Sequence, residues 1–375
     1  GLAACDNKIS MFCVNTRKHS FDVAKIPKIL SDQIKFYSVN HDTSIRFFQA
    51  VKNYFFSKEP YVGIRFISKR YQQKLIQLLK SERFDIVQLE GPYMGYYIKT
   101  IRKYSDAKIS LRAHNVENEI WQRKAVNTKN PFLRYYFASM SSRIKLLEKK
   151  ILGSSDFLVA ISDRDRKQLI QLSNIKNITI PTGLNPYRYP TPKEPEFPSL
   201  FYIGALDWMP NQEAIIWFLD EVFPGLQEQL SNVILHIAGR NAPEWLVSKF
   251  KNYKSKNVIF HGEVNDAYVY MNKYAVFISP LLTGSGIRIK ILEGMMMKRV
   301  VVASSVAVEG IPVSDRQNIF IADSPDEMIR ILFDICNDKQ KYRQIAENSR
   351  NFVLEKFNNL ATCKNLSDFY STHLV

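Results

Sequence analysis

Short apolar, β-branched segments alternate with helical stretches along this chain, and they do so in two series. The first occupies residues 8–14, 34–39, 85–89, 108–113, 156–161 and 178–180, and the second 199–203, 233–238, 257–260, 275–279, 299–303 and 318–322. Near-continuous apolar strands spaced by helices predict parallel sheets covered by helices on both faces, hence an α/β fold. Between the series, residues 180–199 hold Pro181, Pro186, Pro190, Pro192, Pro195 and Pro198. That density excludes helix and central strand and predicts a linker. A chain of 375 residues, 46% of them apolar, exceeds what one core usually organises, so two domains are expected. Their predicted limits are 1–185 and 186–357, with a final helix over 358–375. No period of 20 to 50 residues repeats, which argues against a solenoid.

The net charge of +16 is uneven. Residues 1–185 carry 32 Lys and Arg against 15 Asp and Glu, whereas residues 186–375 carry 20 against 21. An anionic partner should therefore meet the first half. No aromatic nucleic-acid motif accompanies the charge, and nucleic acid is not expected as a partner. The cysteines, Cys5, Cys13, Cys336 and Cys363, lie far apart without metal-ligand spacing, predicting reduced thiols, no disulfide and no bound metal. No apolar run reaches the length of a membrane span and no signal-peptide pattern is present, so a cytoplasmic protein is expected.

The segment after residue 279 reads strand, glycine turn, helix, strand: Thr283-Gly-Ser-Gly-Ile-Arg-Ile-Lys-Ile-Leu-Glu293. Gly284 and Gly286 can take positive φ and let a ligand approach the backbone around Ser285, while the following helix aims its N-terminal amides at a phosphate. Arg288 and Lys290 add positive charge there, and Glu293 could accept hydrogen bonds from ribose hydroxyls.

These residues resemble the GT-B glycosyltransferases of family four, the "group 1" transferases. That family has two glutamates separated by seven residues at this turn and helix; the second matches Glu293 and the first falls at Ser285. Further matches are Tyr202-Ile-Gly-Ala-Leu-Asp-Trp-Met-Pro-Asn, Ile237-Ala-Gly-Arg240 and Phe260-His-Gly-Glu-Val-Asn265, which bring Gly204, Asp207, Arg240, Gly262 and Val264 into the expected donor-binding set. The cations that many members place after the first strand of this domain are absent, so phosphate binding is assigned to Arg288 and Lys290.

The resemblance implies two Rossmann-like doubly wound domains facing across a cleft, with the last helix returning to the first domain. It also implies a UDP- or GDP-linked sugar as donor, retention of anomeric configuration, and no cofactor or metal. The family's first strand and its glycine-rich turn have no match, and the first domain is expected to lack them.

In the first half, strand 108–113 runs into His114-Asn-Val-Glu-Asn-Glu. This puts His114 at the carboxyl end of a parallel strand, where open α/β sheets bind ligands. By the resemblance His114 faces the reacting sugar, and it is the candidate catalytic residue. Glu90, ending another strand, and Glu117 are candidates for acceptor binding. Glu117 has a second reading as the capping acid of the next helix, and Glu90 as a solvated loop acid. Ser162-Asp-Arg-Asp165 reads as a helix N-cap with a structural role alone.

Two stretches mix cations with aromatics. In the second, from Phe132 to Phe137 with Arg143, Lys145, Lys149 and Lys150 beyond, core packing of the rings is favoured. The first, Arg46 to Phe56, is left open between core packing and contact with an anionic bilayer. The acceptor expected is a glycan or a lipid-linked molecule in cell-surface polysaccharide synthesis, with the protein peripheral on the inner membrane face. The rival readings are a GT-B epimerase of nucleotide sugars and a non-catalytic basic protein that binds membrane or nucleic acid.

Overall fold

The computed structural model describes residues 1–16, 22–253, 255–284 and 286–374. The chain forms two compact units: residues 1–182 with 360–375, and residues 183–359.

The first unit holds a pair of parallel strands, β1 (Ile9–Asn15) and β2 (Ile34–Asn40), and a four-stranded parallel sheet in the order β3 (Ile86–Glu90), β4 (Lys108–Ala113), β5 (Phe157–Ala160) and β6 (Lys176–Thr179). The expected single sheet is thus two, because β1 and β3 share no ladder among the described residues. They still share one core, in which Phe12, Val14 and Val39 pack with Tyr71, Leu89 and Leu111. The final helix, Asn359–Leu374, belongs to this unit. Its Leu366 and Tyr370 pack on Phe157 and Val159, and the Tyr370 hydroxyl lies 2.6 Å from Gln88 Oε1 and 2.7 Å from Ser110 Oγ.

The second unit has one six-stranded parallel sheet, in the order β12 (Phe320–Ile321), β11 (Val300–Ala303), β10 (Tyr274–Ser279), β7 (Glu196–Ile203), β8 (Ile234–Ala238) and β9 (Val258–Phe260). Successive side chains of a strand point to opposite faces, and here both faces are covered. Leu200, Tyr202, Val276, Ile278, Val300 and Val302 enter one core, while Phe201, Ile203, Phe277, Val301 and Ala303 enter the other. This double burial is why these strands read as unbroken apolar runs.

The proline-rich segment differs from the linker expected over 180–199. β7 begins inside it, at Glu196, and is a central strand paired with both β8 and β10. Pro198 is accommodated because the β7–β10 register shifts between Tyr274 and Val276, and the Ser199 hydroxyl accepts the Ala275 N–H at 3.0 Å. The preceding residues are fastened to the second unit: buried Arg299 donates to the carbonyls of Lys193, Met297 and Tyr274, and Asn272 bonds to Thr191 and Lys193.

Candidate functional site

In the second unit the chain leaves β7 toward β8 and β9 on one side, and runs from β10 toward β11 and β12 on the other. At such a reversal the loops after adjacent strands diverge and open a crevice at the carboxyl ends. The loop after β10 carries the glycine turn. Gly284 has φ +132° and Gly286 φ +80°, values that favour glycine. Thr283 Oγ1 donates to Glu213 Oε2 at 3.1 Å, tying this loop to the helix that follows β7. Ser285 lies outside the described residues.

Arg288 is the N-cap of the helix Ile289–Met296, and its guanidinium donates to the Gly286 carbonyl, which holds the cation against the turn. Glu293 is only 7% exposed. Its Oε2 lies 2.7 Å from Lys290 Nζ, and its Oε1 accepts from the Tyr268 hydroxyl at 3.1 Å. The Tyr189 ring packs edge-on to Tyr268, with centroids 4.8 Å apart, as a second wall of the same place. Burial, then the Glu293 charge, pushes the Tyr268 hydroxyl up. Lys290 and Glu293, expected in separate roles, are paired with each other; Tyr268 and Tyr189 carry no motif that could have marked them.

The loops after β7, β8 and β9 are stitched in a row. Gly204 N–H donates to the Ala238 carbonyl at 3.2 Å, Leu206 to Arg240 at 2.9 Å and Gly239 to Gly262 at 2.8 Å. The Asp207 and Arg240 side chains stand exposed, with Asn241 Nδ2 3.4 Å from Asp207 Oδ2, and Val264 packs half-buried on the core. Gly239 has no freedom of substitution, since a Cβ there would meet the Gly204 carbonyl and the Leu206 side chain.

The first unit gathers a second group. Glu90 and Arg112 are register partners at the ends of β3 and β4, and His114 follows β4. His114 Nε2 lies 2.7 Å from Glu90 Oε2, Gln88 Nε2 donates to Glu90 Oε1 at 2.6 Å, and Arg112 stands 3.7 Å away. Burial raises the Glu90 carboxyl, but the His114 bond, the Arg112 charge and the Gln88 amide outweigh it and hold Glu90 below the usual carboxylate range. An ionised carboxylate only accepts, so His114 Nε2 carries the proton of that bond. Glu90 is thus a paired acid at the end of β3, with its side chain still 49% exposed.

Glu117 is not a capping acid: Val116 is the N-cap of the helix Glu117–Val126, and the Glu117 carboxylate accepts from the Tyr93 hydroxyl at 3.0 Å. The cap comes from elsewhere. Glu148, on the long helix Pro131–Leu152, is 2% exposed and accepts from the Glu117 N–H at 2.8 Å and from Asn118 Nδ2 at 2.6 Å. Burial pushes Glu148 up to about 7 and raises Glu117 as well. Glu148 fixes the segment that carries His114 and Glu117, and no sequence motif distinguishes it from the lysines around it.

The description "Glycosyl transferases group 1" is that of the family whose pattern matches residues 197–338, a span from β7 through Glu293 to the penultimate helix but one. The second unit belongs to the group 1 glycosyl transferases. Across the whole chain, the transferase is similar to sucrose-phosphate synthase from Thermosynechococcus elongatus (17% identity, 99% of this chain and 90% of that one, TM-score 0.69). It is also similar to Anabaena HepE solved with UDP (13% identity, 97% and 100%, TM-score 0.66). At such identities the likeness is one of fold, and the fold of the transferase is GT-B. A curated relative is an uncharacterized 44.6 kDa protein in the cps region of Klebsiella pneumoniae, 24% identical over 298 residues, 76% of this chain and 74% of that protein.

Proposed function

We propose that this transferase moves a hexosyl group, with retention of anomeric configuration, from a nucleotide-diphosphate sugar to a hydroxyl of a glycan or lipid-linked acceptor in cell-surface polysaccharide synthesis. The observation that carries the reading is the glycine turn at the sheet's reversal point, leading into a helix with a buried, held carboxylate at Glu293. Support for the donor class comes from the similar fold of HepE, solved with UDP-glucose, and support for the pathway from the cps-region relative.

The diphosphate would sit over the turn, where the positive end of the helix and Arg288 offset its charge without a metal. Glu293, already accepting from Tyr268 and Lys290, has further lone pairs to accept from ribose hydroxyls. In the transfer, the acceptor oxygen bonds to the anomeric carbon, the bond from that carbon to the diphosphate oxygen breaks, the nucleoside diphosphate leaves with the bonding pair, and the proton of the acceptor hydroxyl passes to the departing diphosphate oxygen. The ordered amides and Arg288 stabilise the charge that grows on this leaving group. His114, oriented by Glu90, is proposed at the reacting sugar, with Glu90 and Glu117 on the acceptor side. The protein would act in the cytoplasm, on the inner face of a membrane that it touches through its basic first unit.

Calorimetric titration with UDP and GDP, in the absence of metal, tests the donor site. Binding of one nucleotide that is lost in both Glu293→Ala and Arg288→Ala supports it. Binding that survives in both variants overturns the placement. Incubation with the matching nucleotide sugar and no acceptor then separates transfer from epimerisation, since only an epimerase returns an altered sugar still linked to the nucleotide.

A further inference from the structure

The helix Phe47–Phe56 is built inside out. Its one buried residue is polar: Asn53, whose Nδ2 donates to the Glu59 carbonyl at 3.2 Å. Its phenylalanine rings face water, with Phe48 86% and Phe56 84% exposed. Phe48, Val51, Lys52 and Phe55 follow the i, i+3, i+4, i+7 spacing of a single helix face. Burying that face would recover apolar area that folding leaves in water, and an exposed patch of this kind marks a contact surface.

A second group of exposed apolar residues joins it. The first turn of the helix Pro131–Leu152 presents Phe132, 87% exposed, with Leu133 and Tyr135 also exposed. Core packing of this stretch, favoured on sequence grounds, holds only for Tyr136 and Phe137, which are half-buried against Tyr54 and Trp121. Arg143 fastens the two helices together: its guanidinium donates to the Tyr54 carbonyl at 2.7 Å and the Asn53 carbonyl at 3.3 Å, and lies over the Tyr54 ring.

Charge then identifies the occupant. Residues 43–58 and 120–147 contain nine Lys and Arg and no Asp or Glu, and of the acids that flank them Asp42 pairs with Arg46 and Glu119 with Arg123, which leaves the face with an excess of cations. Protruding phenylalanines interleaved with cations, and without acids, suit acyl chains under anionic headgroups, where the rings enter the interface and the cations hold the phosphates. A protein partner or a second copy of this face would need acids to meet these cations, and the few acids at its border, Asp42, Glu59 and Glu119, are already paired with Arg46, Lys150 and Arg123.

We infer that the exposed faces of helices Phe47–Phe56 and Pro131–Leu152 form one docking surface for an anionic lipid bilayer. This deepens the membrane contact proposed above by naming its residues. It does not depend on the transfer reaction, so failure of vesicle binding and failure of nucleotide binding are separate results.

The test is co-sedimentation of the full chain with vesicles of phosphatidylcholine alone, or of two parts phosphatidylcholine to one part phosphatidylglycerol. The wild type should pellet with the anionic vesicles and not with the neutral ones. Combined Phe48→Ser, Phe56→Ser and Phe132→Ser should weaken this at least about tenfold. Lys52→Gln and Arg134→Gln should each cost about fivefold. Since all these side chains are exposed, far-UV circular dichroism and UDP titration should not change, which separates lost docking from lost folding. No binding of the wild type, or equal binding of the triple phenylalanine variant, overturns the assignment. So does a dimer in light scattering that the triple variant abolishes, which would give the face to a second copy.

Discussion

Glu148 and Glu293 are both buried carboxylates, and their surroundings separate them. Glu293 meets a cation, Lys290, and a phenol, whereas Glu148 meets the Asn118 amide, backbone N–H groups and the like charge of Glu117. With no cation to offset desolvation, Glu148 rises to about 7, above the ordinary carboxylate value of the unfolded chain. A raised acid binds its proton more tightly when folded, so its contribution is fully present below the unfolded value and is lost as pH rises through about 7. Urea unfolding should therefore show Glu148→Gln gaining on the wild type as pH rises from 5 to 7.5, by up to roughly 3 kcal/mol. Parallel curves for the two proteins would mean that Glu148 is ionised without penalty. At Glu293, Glu293→Gln should keep much of the packing yet weaken UDP binding by at least about tenfold, because a neutral amide is a poorer acceptor than a carboxylate. Calorimetry on folded variant reads this directly.

Helix ends are set by local chemistry, and some of these were readable in advance. Ser162 caps the helix Asp163–Leu169 by accepting the Asp165 N–H at 3.1 Å, as the Ser-Asp-Arg-Asp sequence indicates. Ser162→Ala should lower stability by about 1 kcal/mol in chemical unfolding and leave UDP affinity unchanged. The helix Glu117–Val126 is a contrast, since its cap comes from Glu148 on another helix and no local pattern announces it. Pro198 shows the same division: its ring forbids a ladder donor, but only the pairing of β7 with β10 reveals that the register shift leaves no ladder bond to lose.

At the scale of the whole molecule, the last helix closes the first unit, although some 180 residues of the second unit lie between them in sequence. Tyr370 brings a hydroxyl to buried Ser110, and Phe369 and Tyr370 set their rings against Phe157. Tyr370→Phe should cost about 1–3 kcal/mol by stranding the Ser110 hydroxyl. Truncating the chain after Asn359, which removes the last helix, should make the first unit the earlier target in limited proteolysis, while UDP binding by the second unit persists. Loss of nucleotide binding with the helix would contradict the independence of the two units that this predicts.

The order of strands and helices was determined by the sequence alone, because burial on both faces of a parallel strand leaves an apolar run whose shortness and β-branched content set it apart from a helix. So was the glycine turn, because positive φ at Gly284 and Gly286 demands the residue type itself. Only tertiary structure decided what meets what: that Lys290 holds Glu293, that Glu148 caps the His114 segment, and that phenylalanines at helical spacing face outward while Asn53 faces in. A side chain's type limits the partners it can take, but the choice among them depends on segments brought together from distant parts of the chain, and periodicity within one helix says which residues share a face without saying which face is buried.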